Sequence, residues 1–132
     1  MGGSKGFAER GEYTFESVGT ISGIKVLKGI DGTGKHGLPK FSNTSEAYIK
    51  PATVQNGIGK PSAIRIMKDQ AGYKDIEWGH PHRNPDGRLF KRGEPHVHDL
   101  TPSGGHTPYA RKPSKRERRL MRMVMYGKFQ PN

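Results

Sequence analysis

Five of the six histidines in this chain fall between His80 and His106, and four of them form two H-x-H pairs, His80-Pro81-His82 and His96-Val97-His98. In an extended strand, residues two apart project to the same face, so each pair is expected to present two imidazoles side by side. Imidazole is the side chain whose ordinary pKa lies near neutrality, so one ring can remove a proton while another supplies one. Cleavage of a ribose phosphodiester by its own 2′-hydroxyl needs that combination. One group takes the 2′-proton, another protonates the leaving 5′-oxygen, and a cation offsets the charge on the phosphorane. His80, His82, His96 and His98 are the candidate acid/base set, needing no cofactor, and Arg83, Lys91 and Arg92 are the candidate phosphate-binding cations.

The same four histidines support a second chemistry. An H-x-H pair can hold zinc or another divalent ion through two nitrogens, with Glu94 or Asp99 near enough to complete a site. A third reading gives the cluster no role beyond a hydrophilic surface. Clustering favours the first two, since scattered surface histidines would not pair.

The elements that must position these residues are mostly strands. Ser62–Lys68 alternates, with Ile64 and Ile66 on one face and Arg65 on the other; Asp69-Gln70-Ala71-Gly72 is a turn, and Tyr73–Trp78 alternates again. The spacing predicts an antiparallel hairpin. Asn84-Pro85-Asp86-Gly87 is a second turn, followed by strand-like Arg88–Lys91 and by Glu94–Leu100, which carries the second histidine pair. Both pairs flank that turn region and are expected to converge. Upstream, Tyr13–Val18 and Ile24–Ile30 read as strands, and Ser42–Lys50 as a short helix stopped by Pro51. Near the end, Ser114-Lys115-Arg116-Glu117 is a capping box for a helix with an apolar stripe of Leu120, Met121, Val124 and Met125. Gly127 is expected to close it in a left-handed conformation. The single tryptophan, Trp78, is expected in the core.

Composition bounds the rest. A chain of 132 residues is one ordinary domain, and at 30% hydrophobic residues its core must be small. With 19 Gly and 10 Pro the chain is loop-rich. The fold class expected is α+β: a small antiparallel sheet with a C-terminal helix packed against it, over residues 13–132. Residues 1–12 read as a flexible linker. There is no Cys, which excludes disulfides and thiolate metal sites. No apolar run is long enough for a membrane-spanning helix, so no membrane insertion is expected. A formal net charge of +11 favours acidic partners, nucleic acid foremost. The loop from Gly29 to His36 lacks the G-x-x-x-x-G-K-[ST] spacing of a nucleotide site; Lys35 and His36 are instead candidates for reaching an RNA phosphate.

Three stretches, Gly57–Ser62, Tyr73–His80 and Pro95–Leu100, together resemble C-terminal toxin domains of bacterial polymorphic toxin systems of the contact-dependent inhibition and Rhs type. The resemblance covers roughly residues 29–100. It implies a ribonuclease of the barnase, EndoU and colicin-like group, cleaving tRNA or other RNA without metal. It also implies delivery as the end of a larger secreted protein, action in the target-cell cytoplasm, and neutralisation by an acidic immunity protein. Those folds usually open with helices, whereas the best helix here is last. The rivals are a metal-dependent nuclease using the same histidines, and a non-enzymatic nucleic-acid-binding or phage structural protein.

Overall fold

The hairpin expected at residues 62–78 is the centre of the molecule. A computed structural model describes residues 7–9, 13–29, 38–39, 47–54, 57–103 and 105–132. The elements, in chain order, are β1 (Phe7–Glu9), β2 (Tyr13–Ile21), β3 (Ile24–Gly29), β4 (Ala47–Val54), β5 (Gly57–Lys68), β6 (Ala71–Glu77), β7 (His82–Arg83), β8 (Leu89–Phe90), β9 (His96–Asp99), α1 (Lys115–Met125) and β10 (Phe129–Pro131). β5 and β6 pair antiparallel through a two-residue turn in which Asp69 and Gln70 both have positive φ, the turn type whose twist matches that of the flanking strands.

The class is α+β, but the sheet is neither small nor wholly antiparallel. Eight described strands join it in the order β1-β2-β3-β4-β5-β6-β9, with β10 also on β2, and β3 runs parallel to β4. β1 lies inside the stretch expected to be a linker and pairs antiparallel with β2.

Residues 47–50, expected to be helical, are the first half of β4. Tyr48 and Ile49 point to opposite faces and both are wholly buried, a demand that a two-sided strand meets. Pro51 does not end the element. It sits opposite Pro61, where the β4–β5 register shifts, so its missing N–H falls at an irregularity of the ladder. Lys35 and His36 lie outside the described residues.

One face of the sheet is apolar. Val26, Ile49, Ile64, Ile76 and Val97 form its core with Ile21, Trp78 and Val124. Trp78 is in the core as expected, its indole N–H donating to the Pro61 carbonyl at 3.0 Å. The helix covers this face with Val124, fully buried, and with Leu120 and Met121, partly buried; Met125 of the expected stripe is exposed. The capping box forms as expected. Ser114 Oγ accepts from the Glu117 N–H at 3.2 Å, and a Glu117 carboxylate oxygen accepts from the Ser114 N–H at 2.8 Å. Gly127 is not left-handed, contrary to expectation. Glycine is needed there for close approach: a Cβ would lie 2.5 Å from the Met123 carbonyl oxygen and 2.6 Å from a methyl of Ile21. The only described helix has 11 residues, too few to cross a membrane.

Candidate active site

The opposite face of the sheet is where the histidines converge, and strand register explains how. Ile49, Ile64, Ile76 and Val97 are paired across β4, β5, β6 and β9 on the core face. Each neighbour in sequence therefore points the other way. That places two polar rows side by side: Tyr48, Arg65, Asp75 and His98 in one, Lys50, Ala63, Glu77 and His96 in the other. The His96-Val97-His98 pair thus faces an acidic pair, Asp75-Ile76-Glu77, directly across the ladder.

Two further segments close over these rows. After β9 the chain turns at Thr101, whose N–H donates to the Gly105 carbonyl, and returns along β9 through bridges at Leu100–His106 and Val97–Arg111. This lays the His106 ring parallel on His98, with centroids 4.4 Å apart. The β7–β8 hairpin brings His82 over His96, stacked at 5.6 Å, and edge-on to His98 at 4.5 Å. Phe90, wholly buried, packs 5.4 Å from His96. Asn84 fixes the hairpin to the returning segment: its amide donates to the Ala110 carbonyl at 2.9 Å and accepts from the Ala110 N–H at 2.8 Å.

All four candidate histidines are therefore brought together, although His80-Pro81-His82 is not a strand pair. His80 lies in a bend ahead of β7, with its side chain 57% exposed. His82 is committed elsewhere. Its Nε2 lies 2.8 Å from the Asn84 side-chain oxygen and 3.2 Å from the Pro108 carbonyl, so that nitrogen carries a proton and donates. Arg83, Lys91 and Arg92 are exposed, and Arg83 donates back to the Gly87 carbonyl within its own hairpin. The cation built into the cluster is Arg65, which forms a two-pronged pair with Asp75 (2.7 Å on each arm) and donates to the Leu38 and Pro39 carbonyls. Glu94 and Asp99 do not join the ring of imidazoles; Glu94 accepts from the Lys91 N–H, and Asp99 is exposed near Arg111.

Glu77 is the centre of the site. Its Oε1 lies 3.1 Å from His80 Nε2, 3.5 Å from His96 Nε2 and 3.9 Å from His98 Nε2; its Oε2 lies 3.5 Å from His106 Nε2. His106 Nε2 is also 2.7 Å from an Asp75 carboxylate oxygen. The outer nitrogens of three rings are tied to backbone carbonyls: His80 Nδ1 to Pro81, His96 Nδ1 to Glu94 and His98 Nδ1 to Thr107. A carbonyl only accepts, so these Nδ1 atoms carry protons and their Nε2 atoms face Glu77 as lone pairs in the neutral rings. Glu77 Oε1 and His96 Nε2 are both buried, and neither has a hydrogen-bond partner among the described residues.

The electrostatics follow from this crowding. Burial pushes Asp75 up, but the bonds from Arg65 and His106 outweigh it and hold the carboxyl below its ordinary value. Burial works against ionised Glu77, while the charge of His106 favours it. His106 is raised by its bond to Asp75, against the effect of burial. His98 is lowered by burial and by the neighbouring charge of His106, despite its carbonyl partner. The two stacked rings are thus pushed apart, His106 toward the cation and His98 toward the neutral form.

The chain matches no protein family, no curated protein and no solved structure. What it does must be read from the site itself.

Sequence reasoning named the histidine pairs but passed over Glu77, Asp75, Arg65 and a role for His106. A signal existed for the two carboxylates. The alternation that sends Ile76 to the core sends Asp75 and Glu77 to the other face, and only the pairing of β6 with β9 was needed to set them against the histidines. For His106, in a turn-rich stretch, the sequence carries no comparable signal.

Proposed function

We propose that this chain is an endoribonuclease whose site is the imidazole cluster around Glu77. The observation that carries the reading is the carboxylate itself, ringed by four histidine nitrogens, two of them on rings open to solvent. His80 stands on one oxygen and His106, with a side chain 38% exposed, on the other. His106 is the proton donor. As an imidazolium its Nε2–H is held by Asp75, leaving Nδ1–H for the leaving group. The side of the cluster at Glu77 Oε1, whose exposed member is His80, activates the nucleophile. In the reaction the ribose 2′-oxygen attacks phosphorus as its proton passes to that side. The bond from phosphorus to the 5′-oxygen breaks, and His106 protonates the leaving oxygen. The products are a 2′,3′-cyclic phosphate and a free 5′-hydroxyl. A net charge of +11 supplies the long-range attraction for the polyanion. The likeness to polymorphic toxin domains extends this reading to a toxin delivered into a target cell and countered by an acidic immunity protein.

The test is incubation of the full chain with total RNA and, separately, plasmid DNA, each with and without EDTA. Discrete RNA fragments with 2′,3′-cyclic ends are expected, and His106→Ala should slow their appearance about 100-fold or more. Intact RNA in every lane, or a His106→Ala variant as active as the parent, would overturn the proposal.

A further inference from the structure

The arrangement at Glu77 Oε1 leaves one electrostatic problem open. His80 Nε2 and His96 Nε2, each a lone pair in the tautomer fixed by its carbonyl partner, converge on an anionic oxygen at 3.1 and 3.5 Å. Among the described residues no hydrogen bond relieves the oxygen or the His96 nitrogen, and both atoms are buried. Two acceptors and an anion facing one another repel unless a cation sits between them.

The spacings indicate which cation. Four ligands placed tetrahedrally about zinc at about 2.0–2.2 Å lie about 3.4 Å from one another. The two separations from Glu77 Oε1 bracket that value, and Glu77, His80 and His96 offer ligand atoms that lie within 4.8 Å of one another. The outer ring nitrogens are already anchored, as in metal-bound histidines whose other N–H donates to a carbonyl or carboxylate. His98 Nε2 lies 3.9 Å from the same oxygen, outside this set of three.

We propose that Glu77, His80 and His96 hold one zinc-class divalent ion through a carboxylate oxygen and two Nε2 atoms. The set is two histidines and one glutamate with a coordination position to spare, the donor count of catalytic rather than structural zinc sites. His82, expected from its spacing to be a ligand, is not in this set: its Nε2 is engaged by the Asn84 side chain, and it is not among the groups that converge on Glu77. Binding of the ion stands on this geometry alone. Its part in cleavage rests on the endoribonuclease reading, where it would make His80 a ligand and activate the nucleophile itself, with His106 still the proton donor.

The experiment uses the full chain with Zn(II), and separately Co(II), as probes. After chelation and dialysis, titration should give one Zn(II) per chain and a melting temperature several degrees higher, since an ion that binds the folded state stabilises it. Cobalt should give the visible absorption of a low-coordinate N/O site. His80→Ala, which removes an exposed ring and should leave the fold intact, should weaken zinc binding at least about 100-fold. His82→Ala, tested beside it, should retain the parent's stoichiometry. Absence of stoichiometric binding by the folded parent, or binding by His80→Ala as tight as the parent's, would overturn the proposal. RNA cleavage by a metal-free chain would overturn the ion's part in cleavage and leave the ribonuclease standing. Stoichiometric zinc without cleavage would do the reverse.

Discussion

Replacing Arg65 by methionine tests whether the polar face is held together by the pair beneath it. Arg65 and Asp75 are both buried, at 6% and 3% exposure, and share two bonds of 2.7 Å. Methionine fills much of the same length but leaves the Asp75 carboxylate in a dry environment with His106 as its remaining partner. It also strips a donor from the carbonyls of Leu38 and Pro39. Removing one partner of a buried ion pair costs about 3–5 kcal/mol. Because His106 continues to hold Asp75, the lower end, about 3 kcal/mol, is expected. A domain of this size has a total stability of roughly 7–20 kcal/mol, so the variant should still fold. Its melting temperature should fall by about 10–15 °C. Urea unfolding followed by fluorescence of the single tryptophan, Trp78, measures the loss from the core side of the sheet. The double variant Arg65→Met/Asp75→Asn removes the stranded charge and should recover about 1 kcal/mol or more of that loss. A single variant within 1 kcal/mol of the parent, or a double variant as costly as the two singles summed, would refute the reasoning.

Two further outcomes concern how the site is framed. Glu117 accepts from Arg111 at 2.8 and 2.9 Å, from Lys74 at 2.7 Å and from the Ser114 N–H, and the Arg111 bonds above all hold its carboxyl far below the ordinary glutamate range. A depressed carboxylate stabilises the fold above its unfolded pKa and loses that contribution as pH falls toward its folded one. Glu117→Gln should therefore cost about 1–3 kcal/mol at neutral pH, with partly exposed Arg111 setting the modest scale. The gap between variant and parent should be constant above about pH 5 and close in acid; a gap that widens in acid would contradict the pairing. Asn84→Ala removes both bonds to Ala110 and the acceptor for His82, and should lower stability by about 2–3 kcal/mol in chemical denaturation. Amide hydrogen exchange should accelerate across the β7–β8 hairpin and residues 106–111; unchanged exchange there would count against the clamp.

The sequence made legible what period-2 alternation and local capping determine. Ile64, Ile66 and Ile76 disclosed the central hairpin, and Ser114 with Glu117 disclosed the start of the helix. It was less informative where residue type and tertiary demand disagree. Ala47–Lys50 before a proline reads as a helix end, yet Tyr48 and Ile49 must be buried on opposite faces, which outweighs that cue. The candidate site was legible as a histidine cluster and illegible as a carboxylate-centred one. Asp75 and Glu77 look like the solvent side of an ordinary half-buried strand until β9 is placed beside them. Gly127 marks the helix end, but the reason for glycine is the nearness of Ile21, a contact between residues over a hundred positions apart.

The register of β9 on β6 has a consequence for when the molecule becomes competent. A slip of one residue would send His96 and His98 into the apolar face beneath the helix and turn Val97 toward Glu77, because successive residues of a strand alternate sides. The chain can have its hairpin, and even its helix, while the imidazoles remain dispersed. Any reactivity of the cluster is therefore a property acquired when this one short strand docks, and a partially unfolded chain carries the same residues without it.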